Sequence, residues 1–140
     1  MTVLNYRISK VVGERHDKKV KSVEVNANST IISIKKMNDK RVGDYLLVNF
    51  RYDVEYGPGV GLIQMVGSLW YTNPKLNTVY SEEKDRIELK KDAMVELSNA
   101  IIQESIIEAI ALSKRLGLPV PLQLPTVNVK QDKIRFPKAS

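Results

Sequence analysis

The chain has no cysteine and only one histidine among its 140 residues. The lack of cysteine excludes disulfides and thiolate chemistry, both as nucleophile and as metal ligand. His16 lies in the polar run GERHDKK, which indicates a solvated turn. No apolar run approaches the roughly 20 residues of a membrane span, and MTVLNYRISK has no uninterrupted apolar stretch typical of a signal peptide. We therefore expect a cytoplasmic protein without membrane insertion.

The sequence also has few of the motifs that carry catalysis. GPGVG, the one glycine-rich stretch, has the wrong spacing for a phosphate-binding loop or a dinucleotide fingerprint and reads as a hairpin turn. Asp53 and Glu55 share the polar face of a predicted strand, and Glu104 and Glu108 read as surface charges on a helix. Nothing pairs a nucleophile with a base. We expect no catalytic residue, no metal site, no cofactor and no enzyme activity.

Acidic residues are scarce at the two ends of the chain. Residues 1–41 hold ten Lys/Arg and four Asp/Glu (+6), and residues 117–140 hold four and one (+3). Residues 42–80 hold two Lys/Arg and three Asp/Glu (−1), and residues 81–116 hold six Lys/Arg and eight Asp/Glu (−2). The four segments together give the net charge of +6. Basic ends attract phosphates or acidic polypeptides, although such residues often form an ordinary solvated surface.

The first part of the chain alternates with period two, which is typical of half-buried strands. The pattern is clearest in YLLVNFRYDVEY and LIQMVGSLWYT, and it predicts an antiparallel hairpin of residues 45–56 and 60–71 around GPGVG. The second strand is apolar on both faces: Leu62, Val66 and Trp70 alternate with Ile63, Met65, Leu69 and Tyr71. We therefore expect a helix against one face and a second subunit against the other.

From about residue 92 the period becomes helical and predicts a helix over residues 92–116. Its apolar residues form two adjacent stripes. The first is Met94, Ile101, Ser105, Leu112 and Leu116, and the second is Val95, Ile102, Ile106 and Ile110. Together they span about half of the cylinder, wider than the ~100° stripe of an ordinary surface helix. A helix of this kind is expected to cover a sheet and also to contact something else.

The helix is predicted to end at Gly117, because Lys114 and Arg115 complement the helix dipole and a glycine tolerates the left-handed conformation. Prolines at 119, 121 and 125 then favour an extended apolar strap over residues 117–129, followed by frayed basic residues. We thus expect one α+β domain over residues 1–140: antiparallel strands (1–71), a crossover connection (72–91), a helix (92–116) and an extended proline-rich tail (117–140).

The C-terminal part carries a family resemblance. LSNAIIQESIIEAIALSKRLGLPVPLQLPTVNV, from Leu97 onward, resembles the helix, glycine stop and following segment of the SecB-like protein-export chaperones, including a P-x-V-N-hydrophobic motif at residues 125–129. The resemblance implies a four-stranded antiparallel sheet packed on the helix, and assembly into a dimer or tetramer. It also implies binding of unfolded or precursor polypeptides in an apolar groove, without ATP or catalysis.

On this chain the groove would involve the crossover and the second helical stripe. Its expected residues are Trp70, Tyr71, Leu76, Tyr80, Ile102, Ile106 and Ile110. The chain departs from the family in two ways: it is basic rather than acidic, and its tail lacks zinc-binding cysteines and histidines. Docking on the motor SecA is therefore not expected with the fold.

Two functions of different classes remain open at this stage. The first is an ATP-independent chaperone, or holdase, that covers apolar segments of unfolded chains. The alternative is a nucleic-acid-binding module that uses the basic ends and the sheet aromatics, since aromatic rings stack on bases. An oligomeric scaffold with neither activity is a third interpretation.

Overall fold

A computed structural model of the chain describes residues 2–121 and 133–139. The first four elements are the strands β1 (Thr2–Arg15), β2 (Glu24–Asp39), β3 (Gly43–Gly57) and β4 (Gly61–Thr72). They form one antiparallel sheet in the order β1-β4-β3-β2. The predicted hairpin is therefore confirmed. Its turn uses the expected glycine freedom at Gly59 (φ 64°), and the Val60 N–H donates to the Tyr56 carbonyl at 2.9 Å.

The two faces of this sheet have different surroundings. On one face, the alternate residues of β3 and β4 from Leu46 to Tyr56 and from Gly61 to Tyr71 are buried beneath the rest of the chain. On the other, which we call the open face, most side chains are half-buried or exposed. Its apolar members include Leu4, Val12, Met37, Tyr45, Leu47, Leu62, Val66 and Trp70. Within the described part of the chain, none of these belongs to a core cluster.

The long helix α2 (Lys91–Leu116) covers the buried face. It begins within one residue of the prediction and ends at Gly117, which adopts φ 68° and ψ 29°. The N–H groups of Gly117 and Leu118 donate to the carbonyls of Lys114 and Ser113 at 3.2 and 2.8 Å. This pairing satisfies carbonyls that the helix end would leave open. The predicted stop is confirmed.

A second sheet was not predicted. The crossover contains a short helix, α1 (Leu76–Val79), and the strands β5 (Tyr80–Glu82) and β6 (Arg86–Lys90). The C-terminal β7 (Lys133–Pro137) pairs with β6, and Lys138 bridges to Ile34 of β2. The prediction that the final residues fray is therefore wrong for this segment. The reason is tertiary: Phe136 enters the core, and Arg135 donates to the buried Glu88 carboxylate. Of the predicted strap, residues 122–129 lie outside the described residues.

Two apolar clusters lie between the sheet and the covering layer. The first joins the beginning of β3 and the end of β4 to α1, the small sheet and the start of α2. It includes Phe50, Tyr71, Leu46, Leu69, Ile87 and Leu97. The second joins the end of β3 and the beginning of β4 to the middle and end of α2. It includes Tyr52, Tyr56, Ile63, Met65, Ile102 and Leu118.

Gly67 allows close packing in the centre of the sheet. It pairs with Ile8 and Phe50, and the Phe50 ring stacks on Tyr6 with centroids 5.3 Å apart. A Cβ at Gly67 would collide with the Arg7 carbonyl oxygen and lie 2.9 Å from Cζ of Phe50. We expect Gly67→Ala to lower the free energy of unfolding by about 1–3 kcal/mol in urea denaturation.

Gly57→Ala is the matched control, because a methyl group there meets no atom within 4 Å. Equal stability of the two variants would contradict the packing described around Gly67.

Phe136 tests whether β7 is part of the core. Its side chain is 9% exposed and belongs to the first cluster, opposite Ile87. Because truncating a buried aromatic removes transfer energy and leaves a cavity, we expect Phe136→Ala to cost about 3 kcal/mol. Hydrogen exchange of the β6 amides should accelerate in parallel. Lys138→Ala, which removes only a partly exposed ion pair with Glu82, should leave both measurements nearly unchanged.

Candidate functional site

Small side chains on α2 set how the helix meets the sheet. Ser98, Ser105, Ala109 and Ser113 are all buried along one side of the helix. The room they leave is taken by tyrosine rings from the sheet, with the Tyr6 hydroxyl 2.8 Å from Oγ of Ser105. The interface is therefore a tyrosine–serine seam, which fixes the rotation of the helix about its axis.

Burial perturbs the tyrosines of this seam. It raises the pKa of Tyr52 to about 12, with smaller contributions from Tyr56 and Tyr6. It also raises the pKa of Tyr56, although the Ser113 hydroxyl opposes that shift. Among the described residues, the Tyr52 hydroxyl has no hydrogen-bond partner. An unpaired buried hydroxyl costs free energy.

The rotation of the helix determines what becomes of its two predicted stripes. Ile101 and Ser105 of the first stripe are buried, as expected if this stripe covers the sheet. The second stripe is divided, because Ile102 is buried in the second cluster while Ile106 and Ile110 are half-buried. Ile106 and Ile110 are packed into neither core cluster of the described chain.

Ile107 extends this surface, and the sequence analysis missed it. It is 65% exposed, the most exposed large apolar side chain among the described residues. At 100° per residue it falls 60° beyond Ile110, on the side of the helix that carries the polar residues Glu96, Gln103 and Lys114. The available signal was the group of three isoleucines at 106, 107 and 110, within little more than one helical turn. We call Val95, Ile106, Ile107 and Ile110 the outer helix stripe.

The predicted crossover residues lie beneath the surface. Tyr71, Leu76 and Tyr80 are all buried in the first cluster. The Tyr71 hydroxyl accepts a hydrogen bond from Nδ2 of Asn73 at 3.3 Å. The structure thus brings these three together, whereas Ile102, Ile106 and Ile110 lie further along α2.

Trp70 is separated from the other predicted residues by the sheet itself. It follows Leu69 and precedes Tyr71, both of which point toward the helix layer, so its own side chain lies on the open face. There it stacks on Tyr45, with ring centroids 4.1 Å apart and planes 16° apart. Trp70 therefore cannot share a groove with the helix stripe of the same protomer.

The candidate acidic residues lie away from any metal-binding arrangement. Asp53 accepts a 2.8 Å hydrogen bond from Nε of Arg51 on the open face. Across residues 2–121 and 133–139, no three His, Asp or Glu side chains are placed to hold one metal ion. The helices of the described chain include none with the length and apolar character needed to span a membrane.

The element order and layers define a SecB-like α+β fold, a four-stranded antiparallel sheet with one long helix. The fold matches the Mycobacterium tuberculosis Rv1957 SecB-like chaperone, solved with a ChAD peptide from the Rv1956 HigA1 antitoxin. The TM-score is 0.53 at 11% identity, and the match covers 93% of this chain and 92% of that one. No family model and no curated protein matches the sequence. The predicted α+β class, with a four-stranded antiparallel sheet and one long helix, is confirmed, whereas the extended proline-rich tail is not shown.

For two tyrosines of the tyrosine–serine seam we predict changes in the free energy of unfolding that have opposite signs. Tyr52→Phe removes a hydroxyl with no described partner, so we expect the free energy of unfolding at neutral pH to rise by about 1 kcal/mol. Tyr6→Phe removes the bond to Ser105 and should lower it by about the same amount. Urea denaturation of both variants measures the two changes. A loss of stability in Tyr52→Phe would show that its hydroxyl is bonded.

The raised pKa of Tyr52 also predicts that the free energy of unfolding depends on pH in the alkaline range. The folded pKa of about 12 lies above the ordinary value of 10.0, so below pH 10 the ionisation of Tyr52 leaves the free energy of unfolding unchanged. The free energy of unfolding then falls as the pH rises toward 12, because the unfolded tyrosine ionises first. The loss should be on the order of 2 kcal/mol. Denaturation curves should therefore show a shallower alkaline decline for Tyr52→Phe than for the parent chain, and identical slopes would contradict this.

Proposed function

We propose that the protein is an ATP-independent holdase that binds apolar segments of unfolded or translocating polypeptides. The observation that carries the proposal is the outer helix stripe. It presents isoleucine side chains to solvent from a helix whose other side is already buried against the sheet. A surface of this kind binds without directional contacts, so it suits clients of many sequences.

The free energy available at this surface suits reversible binding. Completing the burial of a partly exposed isoleucine contributes roughly 1 kcal/mol, from 25 cal/mol per Å² of apolar area. Ile106, Ile107 and Ile110 together then supply only part of a micromolar affinity, and a client chain would add contacts along its length. Such binding needs no nucleotide to release the client.

The structural likeness supports polypeptide partners for this chain. The Rv1957 protein, which shares the fold at 11% identity, was solved with a bound peptide. We extend that partner class to this chain on the strength of the fold and the outer helix stripe together. Assembly into a dimer or tetramer and a cytoplasmic location remain predictions.

The buried members of the predicted site belong to this proposal as a supporting layer. Tyr71, Leu76 and Tyr80 lie under the crossover, whose helix α1 has four residues and no side-chain cap at its N-terminus. Short uncapped elements are among the least stable parts of a fold. Displacement of α1 by a client would add these side chains and Val79 to the surface.

The test removes apolar surface from the outer helix stripe without opening the core. We expect Ile107→Asn/Ile110→Asn to weaken binding of a fluorescently labelled unfolded client by roughly tenfold to thirtyfold, with a parallel loss of aggregation suppression in light scattering. Binding to the parent chain should persist at high salt and show a negative heat-capacity change.

Ala111→Asn is the matched control, since it places the same polar side chain at an exposed position of α2 without removing isoleucine. An equal effect of the control, or a parent chain that does not suppress aggregation, would overturn the holdase proposal. Sizing chromatography of each variant tests the predicted oligomer in the same preparations.

A further inference from the structure

The open face of the four-stranded sheet is divided by charge, although the chain as a whole carries charges of both signs. Lys35, Arg7, Lys10 and Arg51 all lie toward the end that carries Trp70. The register also places Asp39 on this face, but it lies at the end of β2, where its carboxylate accepts hydrogen bonds from the N–H groups of Arg41 and Val42. Asp53, Glu14 and Glu55 lie toward the opposite end. Because two strand residues rise about 7 Å, the two halves occupy neighbouring stretches of one surface. We call the first of them the basic half.

Three of the four cations in the basic half have no partner among the described residues. Arg51 is held by Asp53 at 2.8 Å, but the side chains of Arg7, Lys10 and Lys35 form no ion pair or hydrogen bond with any described residue. Arg7 and Lys10 come from β1, and Lys35 comes from β2 at the other edge of the sheet. The cations therefore flank the centre of the basic half from both sides.

The centre between these cations is aromatic. Trp70 is half-buried, and it stacks on Tyr45, which is only 4% exposed. The stack holds the indole in place from one side, and its remaining exposure is on the open face. A fixed aromatic ring between unpaired cations combines the two elements that bind single-stranded nucleic acid: a surface for base stacking and charges for the phosphates.

We propose that the basic half of the open face is a binding site for single-stranded nucleic acid, with a base on Trp70 and phosphates at Arg7, Lys10 and Lys35. Asp53, Glu14 and Glu55 at the other end of the open face repel further phosphates. They therefore limit the site to a short stretch of the nucleic-acid chain. The site lies across the sheet from the outer helix stripe and does not depend on the holdase proposal. An acidic polypeptide would use the same cations but would leave the indole without a stacking partner.

The experiment uses the intrinsic fluorescence of Trp70, the only tryptophan of the chain. Titration of the full-length protein with short oligothymidylate at low salt should quench it, because the indole stacks on a base. The logarithm of the binding constant should fall with the logarithm of salt with a slope of about −2, from roughly 0.7 per phosphate contact for three contacts. No quenching at low salt would overturn the proposal.

Variants separate the contributions of charge and ring. Lys10→Ala or Lys35→Ala should each reduce the slope by about 0.7, whereas Lys114→Ala, which removes an exposed cation from the helix layer, should leave it unchanged. In anisotropy measurements with labelled oligonucleotide, Trp70→Leu should weaken binding by roughly 5- to 100-fold. Circular dichroism confirms that each variant is folded. Equal slopes for all three lysine variants would overturn the assignment.

Two further measurements distinguish nucleic acid from an acidic polypeptide as the partner, and the open face from the outer helix stripe as the site. If polyglutamate binds as tightly as oligothymidylate and Trp70→Leu weakens neither, the face recognises acidic polypeptides and the proposal is wrong. Ile107→Asn/Ile110→Asn should bind oligothymidylate like the parent chain. Its failure to do so would contradict a site on the open face, whereas failure of the holdase test alone would leave the nucleic-acid site supported.

Discussion

The packing of α2 on a single face of the four-stranded sheet is the constraint from which the other features follow. Alternation along β3 and β4 sends every second side chain to each face, and the described chain covers only one of them. The covered face is closed by α2, α1 and the small sheet. The open face carries cations, carboxylates and a stacked pair of aromatic rings.

The tyrosine–serine seam gives this packing its geometry. Large rings on the sheet lie opposite small side chains on the helix, so the helix is held at one rotation rather than free to roll on a uniform apolar surface. That rotation buries Ile102 and leaves Ile106, Ile107 and Ile110 at the surface. A hydroxyl group carried into the interior costs free energy where it lacks a partner, and that of Tyr52 has none within residues 2–121 and 133–139. The outer helix stripe is thus a consequence of how the core is packed.

The fold and the candidate sites were predictable to different degrees. The hairpin, the helix bounds and the glycine stop follow from local periodicity and cap chemistry, and all three are confirmed. The small sheet was missed because β6 and β7 are five-residue segments whose pairing joins distant parts of the chain. Ile107 was missed because a smooth helical wheel assigns it to the polar side. Trp70 was grouped with Tyr71 and Leu76, although consecutive strand residues point to opposite faces.

The sequence by itself determined the hairpin of β3 and β4, the long helix α2, where the hairpin turn and the helix end occur, and that the helix has more apolar surface than one stripe. These properties depend on neighbours within a few residues, so local pattern is sufficient to establish them. Only the tertiary structure decided which face of the sheet is covered, which isoleucines remain exposed, and which cations find no partner among the residues that the structure describes. These outcomes depend on contacts between residues far apart in the chain, such as Tyr6 with Ser105, and no local pattern specifies them.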